Sequence, residues 1–558
     1  MTDIRPRIEF ERMPAAPRSE FAQEHLVRMR DGVRLATDVY LPDGDTTQGA
    51  TVLVRLPYDK SGDYTFMPEI ARYMTARGYR VVVQDVRGKF RSEGEALLFV
   101  NEAHDGYDTI EWIIQQSWSN GIVGMWGDSY YGFTQWAAVS TGHPALRAIV
   151  PRVTGTDLAQ MPLPVPGVPT VDVQMGIMRV YPLIHFLGND DVNWDMDWSR
   201  RPYSQTVEEF FAAVGQRSPS YDLMFPNPVI LRRFPAGHPF DAPPVPVLMT
   251  IGWWDNCAPW QWADHEEIAR RPGWANSEYL LIEAIDHENY RHADAPVAPE
   301  HDHAVDAEAR ARMMPRYLDP ALEFFDIFLL GRGRPQDIPR VRWELAGGGA
   351  DRWRTAESWP PPETRRTTLY PSAGMLSAQE QPESQWVSWV HDPDDPVPSA
   401  IPNAFAFLHS YPDERATADR ADVLTFTAPA ADAPLDLVGP VAFQATIASD
   451  GPEMDLFLRL LDVAPDGSAH LIARGQTTLL TATTPTQVTV NLGHTGYRLR
   501  AGHRLRLTVA SSDAPEYVVA PGTGADRWSA VETVRNRQRL LLGGLDGAHL
   551  TLSVSTDS

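Results

Sequence analysis

The chain has 558 residues, too many for one compact core, and two to four domains are the reasonable expectation. Its formal net charge of −24 argues against a nucleic-acid or anionic-membrane partner, because no basic patch dominates. The polar N-terminus and the lack of any run of about 18 apolar residues argue against a secretion signal and a membrane span, so a cytoplasmic protein is expected.

Residues 1–153 alternate between strand and helix patterns. Short apolar runs at 51–57 and 80–85 are typical of strands that are buried on both faces. Helical patterns at 68–77 and 103–116 follow these runs. Such alternation predicts a parallel sheet with helices on both sides, which is the first part of an α/β core.

Residues 154–244 lack this alternation of strand and helix patterns. The segment begins with a proline-rich stretch and continues with helical patterns near 171–187 and 205–214. An aromatic, acidic loop lies between the two helical patterns. The segment is therefore predicted to be a helical cap inserted into the core.

The pattern of the core resumes over residues 245–339, where apolar runs at 245–251 and 279–285 predict two further strands. Residues 340–558 then contain many short strand patterns separated by turn signals. Repeated short strands with such turns predict a C-terminal β-sandwich of jelly-roll type. The clearest strand patterns of this region are 435–448, 454–463, 469–475, 487–492, 505–510 and 550–555.

A serine between small residues forms the most informative chemical motif. Gly127 and Ser129 stand where an apolar run gives way to a helical pattern, which is typical of a nucleophile elbow. Such a turn is too tight for bulky flanking side chains, and it leaves the serine hydroxyl at the top of the sheet. In the usual elbow the second glycine comes two residues after the serine, whereas here Tyr131 holds that position and Gly132 follows. The alternative is an ordinary Gly/Ser turn between a strand and a helix.

A serine nucleophile needs a base, because its hydroxyl is almost fully protonated at neutral pH, and the base needs an acid that orients it. In open α/β sheets both are expected on loops after later strands, in the chain order serine, acid, histidine. Asp255 follows the strand pattern at 245–251, and His287 follows the one at 279–285. The sequence therefore predicts Ser129, Asp255 and His287 as a catalytic triad.

Other polar residues around these positions are predicted to have structural roles. Asp286 adjoins His287 but suits a turn better than the orienting role. Cys257, the only cysteine of the chain, is predicted to be a bystander, because no histidine is expected beside it. Four further histidines are predicted to lie at the surface or in solvent: His265, His292, His301 and His303.

The oxyanion that forms on an attacked carbonyl needs two hydrogen-bond donors. The backbone N–H of Tyr130, the residue after the serine, is the predicted first donor. The second donor normally comes from the loop after an early strand, and that loop begins with Pro57, which has no N–H. The hydroxyl of Tyr58 is the candidate for this position, with a packed core tyrosine as the alternative.

Ten short segments form a combination that is specific to one family. They are RLPYDK at 55–60, QDVRG at 84–88, SEG at 92–94, WSNG at 118–121, GDSYYG at 127–132, GWWD at 252–255, Trp353, WP at 359–360, DVL at 422–424 and AGHR at 501–504. In this combination the chain resembles the cocaine-esterase-like serine hydrolases, which are grouped with the X-Pro dipeptidyl-peptidases and the α-amino-acid ester hydrolases. The resemblance spans residues 27–555. Around His287 the chain departs from the family pattern, which often has a tryptophan and serine or glycine residues beside the histidine.

The resemblance implies an α/β-hydrolase core, an inserted helical cap and a C-terminal jelly roll. It also implies that Ser129, Asp255 and His287 form the triad, and that Tyr58 and the Tyr130 N–H form the oxyanion hole. The implied reaction is hydrolysis of a small-molecule carboxylic ester through an acyl-enzyme, with no metal or organic cofactor. An X-Pro dipeptidyl-peptidase or amidase with the same triad is one alternative, and a non-catalytic carbohydrate-binding protein is another.

Substrate choice is expected to depend on the cap and on the loops that face it. An acidic cluster between Asp190 and Asp197 either contacts a substrate ammonium group or forms a solvated loop. The abundance of aromatic residues leaves a homodimer open. Five aromatic residues are the predicted pocket walls, each with a core role as the alternative: Tyr131, Phe186, Trp194, Trp198 and Trp254.

Overall fold

A computed structural model of the protein describes most of the chain. Within the described residues, no helix has both the length and the apolar character that a bilayer span requires. The short segments at 10–14 and 190–194 are described by their backbone, which forms an antiparallel two-stranded ribbon. The described ranges are 10–14, 16–44, 47–158, 190–194, 197–224, 232–292, 295, 297–401 and 403–556.

The strands before residue 360 build one large sheet and a small ribbon. In chain order they are β1 (Phe10–Pro14), β2 (Gln23–Arg28), β3 (Arg34–Tyr40), β4 (Gly49–Leu56), β5 (Arg80–Asp85), β6 (Ser119–Asp128), β7 (Leu146–Arg152), β8 (Asp190–Trp194), β9 (Val247–Gly252), β10 (Glu278–Glu283), β11 (Val341–Glu344) and β12 (Trp353–Ala356). In the described part of the chain, ten of them form the sheet in the order β12-β11-β10-β9-β7-β6-β4-β5-β3-β2, and β1 pairs with β8. Because β11 and β12 join this sheet, it continues past residue 339, where the sequence pattern places the end of the core.

The large sheet is mixed, whereas the sequence pattern predicts a parallel one. The strands from β11 to β5 in spatial order are parallel, while β2, β3 and β12 run antiparallel to their neighbours at the two edges. Every residue of β4 and β5 is buried, as their unbroken apolar runs predict, whereas β2 is mostly exposed. The difference follows from position, since a central parallel strand is covered on both faces and an edge strand is not.

Helices connect the central parallel strands, as parallel pairing requires. The predicted helices at 68–77, 103–116 and 205–214 are confirmed to within about two residues, which is the usual uncertainty of helix ends. The predicted helix at 171–187 lies outside the described residues. In chain order the helices of this part are α1 (Met67–Thr75), α2 (Glu102–Ile114), α3 (Ser129–Ser140), α4 (Tyr203–Val214), α5 (Pro219–Met224), α6 (Ala258–Ala269), α7 (Pro272–Ala275) and α8 (Ala307–Phe328).

The C-terminal region is rich in strands, as its sequence pattern predicts. Within the described residues, eleven strands form a second sheet, in which β20 pairs with β17 beside the path β15-β22-β17-β23-β13-β14-β16-β21-β18-β19. The strands are β13 (Thr364–Ser372), β14 (Met375–Ser377), β15 (Gln385–His391), β16 (Leu424–Thr427), β17 (Leu435–Ser449), β18 (Met454–Val463), β19 (Ala469–Leu479), β20 (Thr486–Leu499), β21 (Arg504–Ala510), β22 (Asn536–Leu542) and β23 (His549–Ser555), and the short helices are α9 (Phe407–Ser410) and α10 (Arg415–Ala418).

A stack of aromatic rings joins the two sheets. The ring of Trp262 lies 4.0 Å from that of His494, with 19° between the ring planes, and 6.0 Å from that of Trp359. Trp253 packs 5.5 Å from Trp359 and donates its indole N–H to the Glu344 carbonyl at 2.8 Å. One hydrophobic cluster contains buried residues of both regions. The two sheets therefore share a continuous core, and burial of these large rings stabilises their contact.

Candidate active site

Ser129 lies at the tight turn between β6 and α3. Its φ of 51° is in the left-handed region, which costs a residue with a side chain about 1–3 kcal/mol. Gly127 has a φ of 153°, and a Cβ at this position would collide with the ring of Tyr131. A Cβ on Gly132 would lie 2.6 Å from Cγ2 of Thr154. Both glycines are therefore needed for the turn, which leaves Ser129 partly exposed at the end of the strand.

His287 and Asp255 meet on loops that follow adjacent strands. Because β9 and β10 are parallel, both loops leave the sheet at the edge where Ser129 lies. His287 Nδ1 donates to Oδ1 of Asp255 at 2.7 Å. The Asp255 side chain is fully buried, and that of His287 is 7% exposed. Burial lowers the pKa of His287, whereas the Asp255 carboxylate beside the ring and its hydrogen bond raise it, and the net shift is upward.

Tyr58 lies close to both His287 and Ser129. Burial raises the pKa of Tyr58 to about 12, and the neighbouring Ser129 side chain acts against the rise. His287 is near enough to influence the same hydroxyl. Among the described residues, no hydrogen bond joins Ser129 directly to His287; such bonds are often long until substrate binds.

Tyr130 follows the serine as the second residue of α3. Its N–H belongs to the first turn, where backbone donors have no partner inside the helix. Its hydroxyl donates to Glu102 at 2.8 Å and accepts from the Phe99 N–H at 2.9 Å, and its ring stacks on Phe99 at 4.6 Å. The side chain therefore anchors the start of α3, and the backbone N–H is left at the turn.

Asp286 holds the loop that carries His287. Its carboxylate accepts from the N–H groups of Glu288 at 3.1 Å and Tyr290 at 3.0 Å, and from that of Leu408 at 2.7 Å. The predicted turn role is confirmed. Because Leu408 belongs to the C-terminal region, this carboxylate also ties the histidine loop to that region.

Cys257 lies beside His287, so the expectation that no histidine is close to it is wrong. Ligand atoms of Asp255, Cys257 and His287 all lie within 4.8 Å of one another. Cys257 is the N-cap residue of α6, and its N–H donates to Oδ1 of Asp255 at 3.0 Å. This tight turn brings the thiol back towards the histidine, a proximity that linear spacing does not reveal. Burial raises the pKa of Cys257 to about 11, so the group is a neutral thiol at neutral pH.

Three of the four other histidines are packed rather than solvated, which corrects the expectation for them. His292 lies between the rings of Trp254 and Tyr411, at 5.0 and 4.7 Å. Burial lowers the pKa of both His292 and His303 to about 4. His265 is the third packed histidine, because it contacts Glu278 at 3.0 Å and its side chain is 12% exposed. His301 is exposed, as expected.

The predicted pocket residues lie in different surroundings. Tyr131 is 7% exposed and packs against Tyr58 and Trp126 at 6.3 and 6.2 Å. Trp254 is 5% exposed and donates its indole N–H to the Leu471 carbonyl at 3.0 Å. Trp198 is partly buried 5.7 Å from the Tyr203 ring, the backbone of Trp194 pairs with Phe10 in the ribbon, and Phe186 lies outside the described residues.

A buried polar network, which no sequence pattern predicts, supports the elbow. Asp128, directly before the nucleophile position, accepts from Arg152 Nε at 2.9 Å and from the Tyr317 hydroxyl at 2.5 Å. Asn289 bridges the network, because its Nδ2 donates to Asp128 at 3.3 Å and its Oδ1 accepts from Arg152 at 3.0 Å. Only the unusual polarity of Asp128 inside an apolar elbow hints at such partners. The network connects the serine turn to the histidine loop.

Comparison with known proteins finds two family matches and a similar esterase. Residues 31–289 match the family described as X-Pro dipeptidyl-peptidase (S15 family), and residues 334–551 match the family described as X-Pro dipeptidyl-peptidase C-terminal non-catalytic domain. The chain is 28% identical to the cocaine esterase of Rhodococcus sp. (strain MB1 Bresler), in an alignment that covers 90% of this chain and 92% of that protein.

Two solved structures show the same fold over nearly the whole chain. An aminopeptidase from the marine sediment archaeon Thaumarchaeota archaeon superimposes with a TM-score of 0.76 and 20% identity, covering 100% of this chain and 99% of the other. An α-amino-acid ester hydrolase superimposes with a TM-score of 0.75 and 23% identity, covering 96% of each chain. These two likenesses show the fold, and the two family matches together with the identity to cocaine esterase show the family: the chain belongs to the cocaine-esterase-like serine hydrolases, the family related to the X-Pro dipeptidyl-peptidases and the α-amino-acid ester hydrolases.

Proposed function

We propose that the protein hydrolyses carboxylic esters with Ser129 as nucleophile, His287 as general base and Asp255 as the group that orients the base. The observation that carries the proposal is the 2.7 Å hydrogen bond from His287 Nδ1 to the buried Asp255, on the sheet edge where Ser129 stands in a strained turn. This bond fixes the tautomer in which the other ring nitrogen accepts the serine proton. The Asp255 carboxylate then stabilises the imidazolium that forms.

The reaction proceeds in two acyl transfers. Ser129 Oγ attacks the ester carbonyl as its proton passes to His287, and the tetrahedral oxyanion is held by the Tyr58 hydroxyl and the Tyr130 N–H. His287 gives its proton to the leaving alkoxide, and the acyl group stays on Ser129. A water molecule then attacks the acyl-enzyme with His287 again as base. The carboxylic acid is released, and the free serine is restored.

The substrate class rests on the relatives. The Rhodococcus relative is named a cocaine esterase and a structural neighbour an α-amino-acid ester hydrolase, which favours a small-molecule ester. Dipeptidyl-peptidase or amidase activity is the second candidate, because the matched family is the X-Pro dipeptidyl-peptidase family and another neighbour is an aminopeptidase. The five aromatic residues assigned to the pocket, and the acidic cluster between Asp190 and Asp197, are proposed to set the choice between substrates.

A substrate panel tests this proposal. We expect p-nitrophenyl esters to be hydrolysed with a higher kcat/KM than Gly-Pro and Ala-Pro arylamides, and Ser129→Ala to abolish both activities with little change in Tm. Preferential turnover of the arylamides would show that the protein is a dipeptidyl-peptidase or amidase rather than an ester hydrolase. Unchanged ester turnover in Ser129→Ala would remove the proposed nucleophile altogether.

The domain organisation belongs to the same proposal. Residues 1–153 and 245–339 form the hydrolase core, 154–244 form the inserted helical cap, and 340–558 form a β-sandwich of jelly-roll type. The family matches support a division between residues 289 and 334, and β11 and β12 contribute from the C-terminal segment to the sheet of the core.

A further inference from the structure

Three side chains of types that bind metal ions lie together in the proposed active site. The proposed mechanism uses two of them. Ligand atoms of Asp255, Cys257 and His287 lie within 4.8 Å of one another, and all three residues are buried. The ligand atoms of a tetrahedral zinc ion are roughly 3.3–3.8 Å apart, as its bond lengths of about 2.0–2.3 Å require. Side-chain shifts of about 1 Å would therefore bring the three atoms onto one ion.

The second carboxylate oxygen of Asp255 is an independent observation that points to a ligand at this cluster. Its Oδ1 accepts from His287 and from the Cys257 N–H, whereas its Oδ2 is buried and has no hydrogen-bond partner among the described residues. An unpartnered buried carboxylate oxygen is costly, and a cation beside it would remove that cost. The triad proposal gives no role to the thiol, which packs against the same histidine.

The chemistry of the donors selects the kind of metal. A thiolate, an imidazole nitrogen and a carboxylate oxygen form a mixed set that suits zinc or cadmium and is poorly matched to magnesium or calcium, which prefer oxygen ligands. We propose that Asp255, Cys257 and His287 form an inhibitory binding site for a thiophilic divalent cation, which binds at the expense of catalysis.

Metal binding at this site exchanges a proton for the metal ion and involves no redox change. The S–H bond of Cys257 breaks, its proton passes to solvent, and the thiolate donates an electron pair to the metal ion. The imidazole keeps its one proton on one ring nitrogen and donates a second pair from the other, and Asp255 supplies a carboxylate oxygen. Because each bound ion displaces the thiol proton, apparent affinity rises with pH. The bound imidazole no longer accepts the serine proton, so inhibition, unlike binding, rests on the proposed function.

Cadmium absorbance tests binding without any turnover. Cys257 is the only cysteine of the chain, so a ligand-to-metal charge-transfer band of a cadmium thiolate in the ultraviolet reports this site alone. We expect Cd²⁺ to produce the band stoichiometrically in the folded wild-type protein and in Ser129→Ala, and to produce none in Cys257→Ala. Absence of the band in the folded wild type at saturating Cd²⁺ overturns the site, whatever the variants do.

Zinc inhibition tests the consequence for activity. With an ester substrate, we expect Zn²⁺ to inhibit the wild type reversibly, with recovery on adding EDTA, and the half-inhibiting concentration to rise at least tenfold in Cys257→Ala or Cys257→Ser. His301→Ala removes an exposed histidine and serves as the matched control, with wild-type inhibition expected. Equal inhibition of the cysteine variants and the wild type would assign the effect to other ligands and contradict the proposal. A cadmium band in a protein without ester turnover would instead locate the failure in the proposed function.

Discussion

At the scale of single residues, the hydroxyl of Tyr58 is the proposed oxyanion donor, in place of the backbone N–H that most serine hydrolases use. Pro57 has no N–H to offer as a donor, and the Ser129 side chain is near enough to influence the pKa of the Tyr58 hydroxyl. The rings of Tyr64 and Tyr131 contact the Tyr58 ring at 5.5 and 6.3 Å. A donor held in this way needs little reorganisation as negative charge develops on the substrate.

Tyr58→Phe tests this donor. We expect kcat to fall by roughly 10²-fold or more while KM changes less, because a lost oxyanion donor weakens mainly the transition state. Tyr64→Phe is the control: its hydroxyl bonds to Glu288 at 3.2 Å and its ring contacts Tyr58, yet it has no proposed role in the reaction. Steady-state kinetics of the three proteins on one ester give the comparison. An unchanged kcat in Tyr58→Phe would exclude the Tyr58 hydroxyl from the oxyanion hole.

At the scale of elements, the elbow depends on a helix that lies far away in the sequence. Tyr317, on α8, donates to Asp128 at the end of β6, and the Arg152 guanidinium from β7 stacks 4.6 Å above the Tyr317 ring. Arg152 in turn contacts Asn289 on the histidine loop. Three elements thus fix the backbone on either side of the serine turn.

Tyr317→Phe measures the strength of this tether. Loss of the hydroxyl leaves Asp128 with one buried partner fewer, and we expect the free energy of unfolding to fall by about 1–3 kcal/mol. Tyr279→Phe is the matched control, since that hydroxyl makes a weak 3.5 Å contact with the Pro335 carbonyl. Denaturant unfolding of the three proteins gives the comparison, and equal stability of Tyr317→Phe and the wild type would contradict the assigned role.

The elements also reveal which features the sequence can predict. The run at 454–463 coincides with β18, because its leucines at 456, 458 and 460 recur with the period of a strand and a proline-aspartate-glycine turn follows the run. Helix α8 escapes prediction because Pro315 and Pro320 stand inside it and favour helix ends in sequence reasoning. The packing of Cys257 against His287 depends on the turn into α6, a tertiary relation that no local pattern encodes.

At the scale of the whole molecule, the C-terminal region contacts the loops that carry the proposed acid and base. Trp254, which precedes Asp255, bonds to the Leu471 carbonyl, and the ring of Phe405 lies 5.1 Å from that of His287. The Glu288 N–H donates to the Phe405 carbonyl at 2.9 Å. The C-terminal region therefore supports the site directly in addition to covering the core.

Truncation tests this dependence. A chain that ends after residue 361 keeps all ten strands of the first sheet but exposes the Trp253, Trp262 and Trp359 rings, so we expect insoluble or inactive protein. A chain that ends at residue 556 is the control and is expected to match the full chain in Tm and activity. A soluble, fully active fragment ending at residue 361 would show that the site needs no C-terminal support.

Covalent labelling of the serine tests the central claim most directly. A fluorophosphonate probe reacts with activated serine hydroxyls, and peptide mass spectrometry locates the adduct. The account predicts a single adduct on Ser129, formed in step with loss of ester hydrolysis and absent from Ser129→Ala, with labelling strongly slowed in His287→Ala. An adduct on another residue, or undiminished labelling of Ser129→Ala, would contradict it.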